Sequence, residues 1–215
     1  SNVIGDFGDF GGQIKLEDNQ RILVSSIDGV GTKTILLCKQ SNGLRGLRSL
    51  GHDIVNHCVN DILVQGAYPI FFMDYYGTDN LNVDELSNFV GGVSEACIAN
   101  NGVVLLGGET AEMPAVYKSN SKDLVGCIVG YKDERFFKKG KISDGDVLLG
   151  LESSGPHTNG YSLINKILDQ DSDIEDNLPY IYKTLLNPHK SYLKDVEKFV
   201  EIYGCDSIKG MCHIT

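Results

Sequence analysis

The sequence predicts a mixed α/β fold, and three observations predict it. A strand, a helix and a second strand follow one another between residues 70 and 106, the compact alternation that an α/β unit requires. Carboxylates and glycines gather where candidate strands end, at Asp28-Gly29 and at Gly107-Gly108-Glu109, the edge of a sheet where α/β proteins bind ligands. The chain has 215 residues, 41% hydrophobic and 22% charged, which suffices for one large domain or for one domain and part of a second.

Residues 1–12, reading SNVIGDFGDFGG, hold too much glycine for a regular element and predict a loop or lid. A strand is expected over 21–27, ending in Asp28-Gly29, and a short helix from about Lys33 to Gln40. The next helix is expected from Leu50 to Gln65. Its apolar face carries Ile54, Val55, Cys58, Val59 and Ile62 at helical spacing, and Gly66 ends it. Pro69 opens an aromatic strand over 70–76. Asn82 can cap the following helix, with Glu85 three residues on as in a capping box. Leu86, Phe89, Val90, Val93 and Cys97 form its apolar stripe, and Asn100-Asn101-Gly102 stops it. Val103 to Leu106 reads as a buried strand that turns at the glycine pair, and 123–131 as another strand. The charged, glycine-interrupted stretch from Asp133 to Asp144 places a domain boundary there, dividing the chain into 1–142 and 143–215. Beyond it the pattern predicts a strand over 147–151, a helix over 161–168 with Asn159 as cap, a polar irregular stretch over 172–188, a helix over 191–203 and a final strand over 207–214.

A net charge of −10 and a pI of about 4.9 leave no basic stripe for nucleic acid. The longest basic cluster, Lys138-Lys139-Gly140-Lys141, reads as a solvated turn. Anionic ligands would then be held locally, by metal ions, glycine-loop amides and a few lysines. Six cysteines form no C-x-x-C pair, and their dispersal suits a reducing cytosol better than a disulfide framework. No apolar run reaches the roughly 18 residues of a membrane span, and no signal peptide opens the chain.

Four groups could carry chemistry. Asp28-Gly29-Val30-Gly31-Thr32-Lys33 lacks the glycine spacing of a P-loop. It reads either as a metal-binding carboxylate beside a phosphate or as a strand-to-helix turn with Asp28 as cap. Asp53, His57, Asn60 and Asp61 share one helix face, either solvated or, as a set rich in oxygen donors, suited to magnesium. Gly107-Gly108-Glu109-Thr110 puts an acid after a buried strand, or is a tight turn. Ser153 to Ser162 offers amides at a helix start to an anion, or is a capped loop in which His157 is structural. Each signal is weak singly; together they fit magnesium-nucleotide chemistry.

The strings DGVGTK (28–33), HDIVNHCVNDILVQGA (52–67), FFMDYYGT (71–78), GGETAEMP (107–114), SDGDVLLGLESSGPHTNGYSL (143–163) and HIT (213–215) resemble, in order and spacing, the phosphoribosylformylglycinamidine cyclo-ligase family. Selenide water dikinase, thiamine-monophosphate kinase and a hydrogenase maturation factor share only the acidic strand end, the N-D helix and the G-G-acid turn. The resemblance implies an α/β N-terminal domain whose sheet pairs with that of a second subunit into a barrel, and an active site shared across this homodimer. It further implies a C-terminal α/β domain, of which 143–215 is the first part, and a segment ahead of the glycine loop that carries an ATP-linked lysine. The implied activity is that of a cytoplasmic ligase of purine biosynthesis. ATP phosphorylates the formamide oxygen of formylglycinamidine ribonucleotide, an amidine nitrogen attacks the activated carbon, and phosphate leaves as the imidazole closes. By the same resemblance Asp28, Asp61 and Glu109 hold magnesium and the triphosphate. Gly29, Gly31, Thr32, Lys33, Asn60, Gly108 and Thr110 line the nucleotide, and Ser154, Gly155, His157 and Asn159 face the ribonucleotide. Asp61, His157 and Lys33 act in the chemistry.

Overall fold

The computed structural model describes residues 3–4, 12–15, 22–38, 43–134, 136–138, 140–170 and 178–215. Of the expected loop over 1–12, only Val3, Ile4 and Gly12 are described, and these three lie in strands. A six-stranded sheet has the order β1-β2-β3-β6-β4-β5, with β1 at Val3–Ile4, β2 at Gly12–Lys15, β3 at Ile22–Gly29, β4 at Ala67–Thr78, β5 at Val104–Glu112 and β6 at Lys122–Lys132. β4 and β5 are parallel and joined by α3 (Val83–Ala99), the strand–helix–strand unit that the sequence predicts. β6 fills the space between β3 and β4, antiparallel to both.

One face of this sheet makes the core. Along β6 the side chains alternate, so that Leu124 and Ile128 are buried while Val125 and Val129 are only partly so; strand periodicity of two sorts them. Against this face lies α2 (Gly43–Leu63), whose Ile54, Val55, Cys58, Val59 and Ile62 are buried with Val24, Phe72 and Tyr76 of the strands. α3 adds Phe89, Val93, Ala96 and Cys97. The Asn82 side chain accepts from the amides of Asp84 and Glu85, as a cap should. The Glu85 carboxylate instead pairs with Lys122 at 3.0 Å, so the reciprocal half of the capping box is replaced by a link to β6.

α2 starts seven residues before the expected Leu50 and is buried nearly all round. Its polar side is not solvated: Asp53, His57, Asn60 and Asp61 are all buried. They are covered by the chain around 157, 187–192 and 213, which lies on α2 through hydrogen bonds. Asp53 accepts from the His189 amide at 2.6 Å, Asn56 donates to the His189 carbonyl at 2.7 Å, and Asn60 donates to the Lys190 carbonyl and accepts from the Tyr192 amide. A buried irregular segment needs such partners for its backbone, and the helix supplies them from side chains.

α1 (Lys33–Cys38) follows the turn after β3, and the described residues of the later chain include α4 (Tyr161–Gln170), α5 (Leu178–Leu185), α6 (Leu193–Tyr203) and a 3-10 turn at Cys205–Ser207. α5 lies where an irregular stretch is expected. Residues 147–151 are not a strand, and Leu148 is 99% exposed; a strand requires a neighbour to pair its amides and carbonyls, and among the described residues none lies alongside. Residues 208–215 are irregular as well, joined to the segment at 140 by the bond from the Gly140 amide to the Lys209 carbonyl. The side chains of Cys58 and Cys97 are buried as core residues, and Cys58, Cys97, Cys127, Cys205 and Cys212 are unbridged. No described helix is long and apolar enough to cross a membrane.

Candidate active site

Asp28 closes β3, and its row across the sheet runs Asp28, Gly126, Asp74, Gly108. Residues in one row of paired strands point to the same face, here the face under α2. Asp28 Oδ1 accepts from the Gly29 amide at 2.6 Å, and Oδ2 lies 2.8 Å from His57 Nε2 on α2. Asp61, one turn further along α2, places Oδ2 3.6 Å from the same His57 nitrogen and 2.9 Å from the Ser26 hydroxyl. Its Oδ1 takes the His213 Nδ1 at 2.8 Å. The structure thus brings two of the three expected carboxylates onto one imidazole.

Burial works against charge on His57, but Asp28 and Asp61, with Asp53 behind them, outweigh it and hold the ring above the ordinary histidine range. Burial likewise raises Asp28, and the His57 contact more than offsets it, leaving the carboxyl below its usual value. The imidazolium supplies the positive charge that two converging carboxylates need. As imidazolium both ring nitrogens donate, so His57 Nδ1 donates to Thr158 Oγ1 at 2.5 Å and that hydroxyl points to Asn159 Oδ1 at 3.4 Å.

Glu109 does not join this group. The sequence expects a turn at the glycine pair, but β5 runs through it, and Glu109 pairs in register with Tyr75. That row faces away from α2, and β6 and β4 stand between β5 and β3. Period-two alternation therefore puts Glu109 and Asp28 on opposite faces. The acid that does share the row of Asp28 is Asp74, whose carboxylate a Cβ at Gly108 would meet at 2.4 Å. Burial raises its pKa. It stands inside the FFMDYY string, where aromatic neighbours disguise it as part of a core strand. Gly108 and Thr110 stay exposed on β5.

The Asp28–Lys33 turn has Gly31 at φ +65, a left-handed conformation that suits glycine. Thr34 Oγ1 donates back to the Gly31 carbonyl, and Thr32 Oγ1 lies 3.1 Å from Ser162 Oγ at the start of α4. Lys33 turns inward. Its ammonium pairs with Asp53 Oδ2 at 2.8 Å and donates to the carbonyls of His157 and Asn187 at 3.0 Å each. Both ions of the pair are fully buried; burial pushes the lysine down and the aspartate up, each opposed by the other. The ammonium has no face left toward a phosphate.

In the 153–162 loop, Ser154 Oγ donates to the Pro188 carbonyl and Gly155 sits at φ +130. Asn159 is exposed and His157 is buried, its ring stacked on His189 at 3.8 Å. Burial, with His213, Lys33 and His57 nearby, lowers His157 to about 4. His189 is pushed down further by burial and by His157, His57, His213 and Lys33 nearby. Sequence reasoning misses His189, which has no motif around it, and Ser26, whose role depends on Asp61 being overhead.

Residues 8–131 match the family described as AIR synthase related protein, N-terminal domain. Proteins from Clostridium botulinum (strain ATCC 19397 / Type A) and Clostridium perfringens (strain 13 / Type A), each named phosphoribosylformylglycinamidine cyclo-ligase, are 43% identical over 99% of this chain. The chain spans 62% of the length of each. Among solved structures, AaThiL complexed with AMPPCP and TMP superposes on 92% of this chain and 58% of its own, with TM-score 0.53 and 17% identity. The HypE-HypF complex gives TM-score 0.51 and 14% identity over 90% of this chain and 56% of its own. At these identities the two structures speak for the fold.

Proposed function

The chain belongs to the family of AIR synthase related proteins through their N-terminal domain, and from that membership we propose that the whole protein is a phosphoribosylformylglycinamidine cyclo-ligase. The observation that carries the reading is 43% identity to proteins of that name over 99% of the chain. The reaction is ATP-dependent closure of formylglycinamidine ribonucleotide to aminoimidazole ribonucleotide, a cytoplasmic step of purine biosynthesis. Phosphorylating the formamide oxygen makes it a leaving group, and an amidine nitrogen replaces it. Such chemistry asks mainly for positioning and charge neutralisation.

Asp28 and Asp61 are the residues that would hold magnesium. Their oxygens converge on one cationic nitrogen, so the donor set and the charge suit a hard dication. Magnesium bound there would supply charge neutralisation to the phosphate oxygens. The turn at Gly29, Gly31 and Thr32 offers backbone to the nucleotide, and the exposed Asn159 is available to meet the ribonucleotide. Lys33 and Asn60 support the site from behind by fixing the 187–192 segment.

Two measurements test the proposal. Full-length protein with ATP, magnesium and formylglycinamidine ribonucleotide should yield aminoimidazole ribonucleotide; turnover of thiamine monophosphate in its place would reassign the chain. Asp61→Asn should lower turnover about 10²–10³-fold. From the sequence alone its melting temperature is expected barely to move, or even to rise, because clustered carboxylates repel one another. The bonds from Ser26 and His213 change that, and about 1–3 kcal/mol of stability should go with the charge. Turnover is therefore read well below the melting point. Near-normal turnover would remove Asp61 from the chemistry.

The same reading includes a homodimer. The sheet face away from α2 and α3 exposes Ile27 at 70% and Val104 at 54%, and β5 is an edge strand. Apolar residues on an uncovered sheet favour a partner surface. Sedimentation of the full-length protein at micromolar concentration should give a dimer; a monomer would count against the shared barrel.

A further inference from the structure

Four of the five histidines meet in the interior; His57 and His213 contact the Asp28 and Asp61 carboxylates, and His157 and His189 do not. We propose that His157, His189 and His213 form a nitrogen-donor site for a transition-metal dication of the zinc type, adjoining the oxygen-donor magnesium set through Asp61.

The geometry carries this. One ligand atom from each of the three rings lies within 4.8 Å of the others, and all three side chains are buried. His213 Nδ1 meets Asp61, which as a carboxylate can only accept, so Nδ1 carries a proton and Nε2 is the nitrogen turned toward His189. His189 Nε2 lies 3.1 Å from the Asn60 amide nitrogen, whose orientation is fixed by its bonds to Lys190 and Tyr192, so this atom presents a lone pair. His213 Nε2 and His189 Nε2 lie 3.3 Å apart. The separation matches the edge of a tetrahedron with metal–nitrogen bonds of about 2.0–2.1 Å. The Asp61–His213 contact is the carboxylate–histidine arrangement that orients metal-bound imidazoles. His157 Nε2 and His189 Nδ1 are buried without a hydrogen-bond partner, which an apolar packing role does not explain. On binding, the ion takes the His189 lone pair from Asn60, which keeps its bond to Lys190. Three histidines leave a fourth position open for water or a ligand oxygen.

The probe is Co²⁺, which reports nitrogen ligation by visible absorption, titrated into the full chain without ATP or substrate. The readout is binding, so it stands or falls apart from the cyclo-ligase activity. One Co²⁺ per chain is expected, displaced by Zn²⁺ and not by excess Mg²⁺, because imidazole donors favour zinc over magnesium. His189→Gln and His213→Gln should each weaken binding about 100-fold or more, beyond the usual effect of losing a supporting partner. Cys212→Ser, next to His213 and exposed, should bind as the parent does. Circular dichroism of each variant establishes that it folds. Absence of stoichiometric Co²⁺, displacement by Mg²⁺, or unchanged affinity in a folded His189→Gln would overturn the proposal. So would loss of binding on Cys212→Ser alone.

Discussion

Lys33→Met is expected to destabilise the fold by about 3–5 kcal/mol, the cost of leaving one ion of a buried pair behind. The Asp53 carboxylate lies at 0% exposure with the ammonium 2.8 Å away. Without that ammonium Asp53 keeps only the His189 amide on its other oxygen. The carbonyls of His157 and Asn187 lose their donor in the same step. Adding Asp53→Leu to Lys33→Met should restore a good part of the loss, since a buried pair replaced by apolar groups is often neutral. It would not restore all of it, because the His189 amide then has no acceptor. Urea unfolding of both single variants and the double variant measures these differences directly. A lysine that serves phosphates at the surface predicts another result: stability within about 0.5 kcal/mol of the parent, with only catalysis lost.

The second large effect is expected at Gly92. A Cβ there would lie 2.0 Å from the Arg48 carbonyl oxygen and 2.8 Å from its carbon. The mirror position, Gly51 on α2, would meet the Phe89 carbonyl oxygen at 2.4 Å and the Val93 nitrogen at 2.6 Å. The helices α2 and α3 therefore cross backbone against backbone, and no side chain can yield. Gly92→Ala gains about 1 kcal/mol of helix propensity and should still lose about 3 kcal/mol or more, the upper end of overpacking penalties. Gly91→Ala is the comparison in the same helix. Its Cβ would meet only the guanidinium end of Arg48, at 2.8 Å, on a flexible exposed side chain. That variant should melt at or slightly above the parent temperature. Equal melting of the two variants would show that the crossing is looser than described. The crossing matters for function because α2 carries both His57 and Asp61, and a shift of α2 would separate them from Asp28.

Much of the fold was legible because hydrophobic periodicity is local. The stripe of Phe89, Val93 and Cys97 fixed α3, and Asn82 fixed its start. The runs on either side predicted the strands β4 and β5 around it, and the structure pairs them in parallel. Where the reading failed, the missing information was non-local. The 147–151 run has strand composition, but a strand exists only beside another. The glycine pair at 107–108 has turn composition, but β5 continues through it because β4 offers hydrogen-bonding partners as far as Thr78.

The candidate site divides in the same way. The sequence by itself determined the family, the α/β core, and the placing of Asp28 at a strand end and Asp61 on the helix that follows, since each depends on motif order and short-range spacing. Only the tertiary structure decided that the polar side of α2 is interior, because its cover comes from residues 157, 187–192 and 213, about a hundred positions or more along the chain. Burial then changed what the residues do. An ammonium that could neutralise a phosphate at the surface is held by Asp53 inside. An acid one residue away from the helix-facing row points to the other face, and lone histidines from three distant loops become neighbours in one low-dielectric pocket.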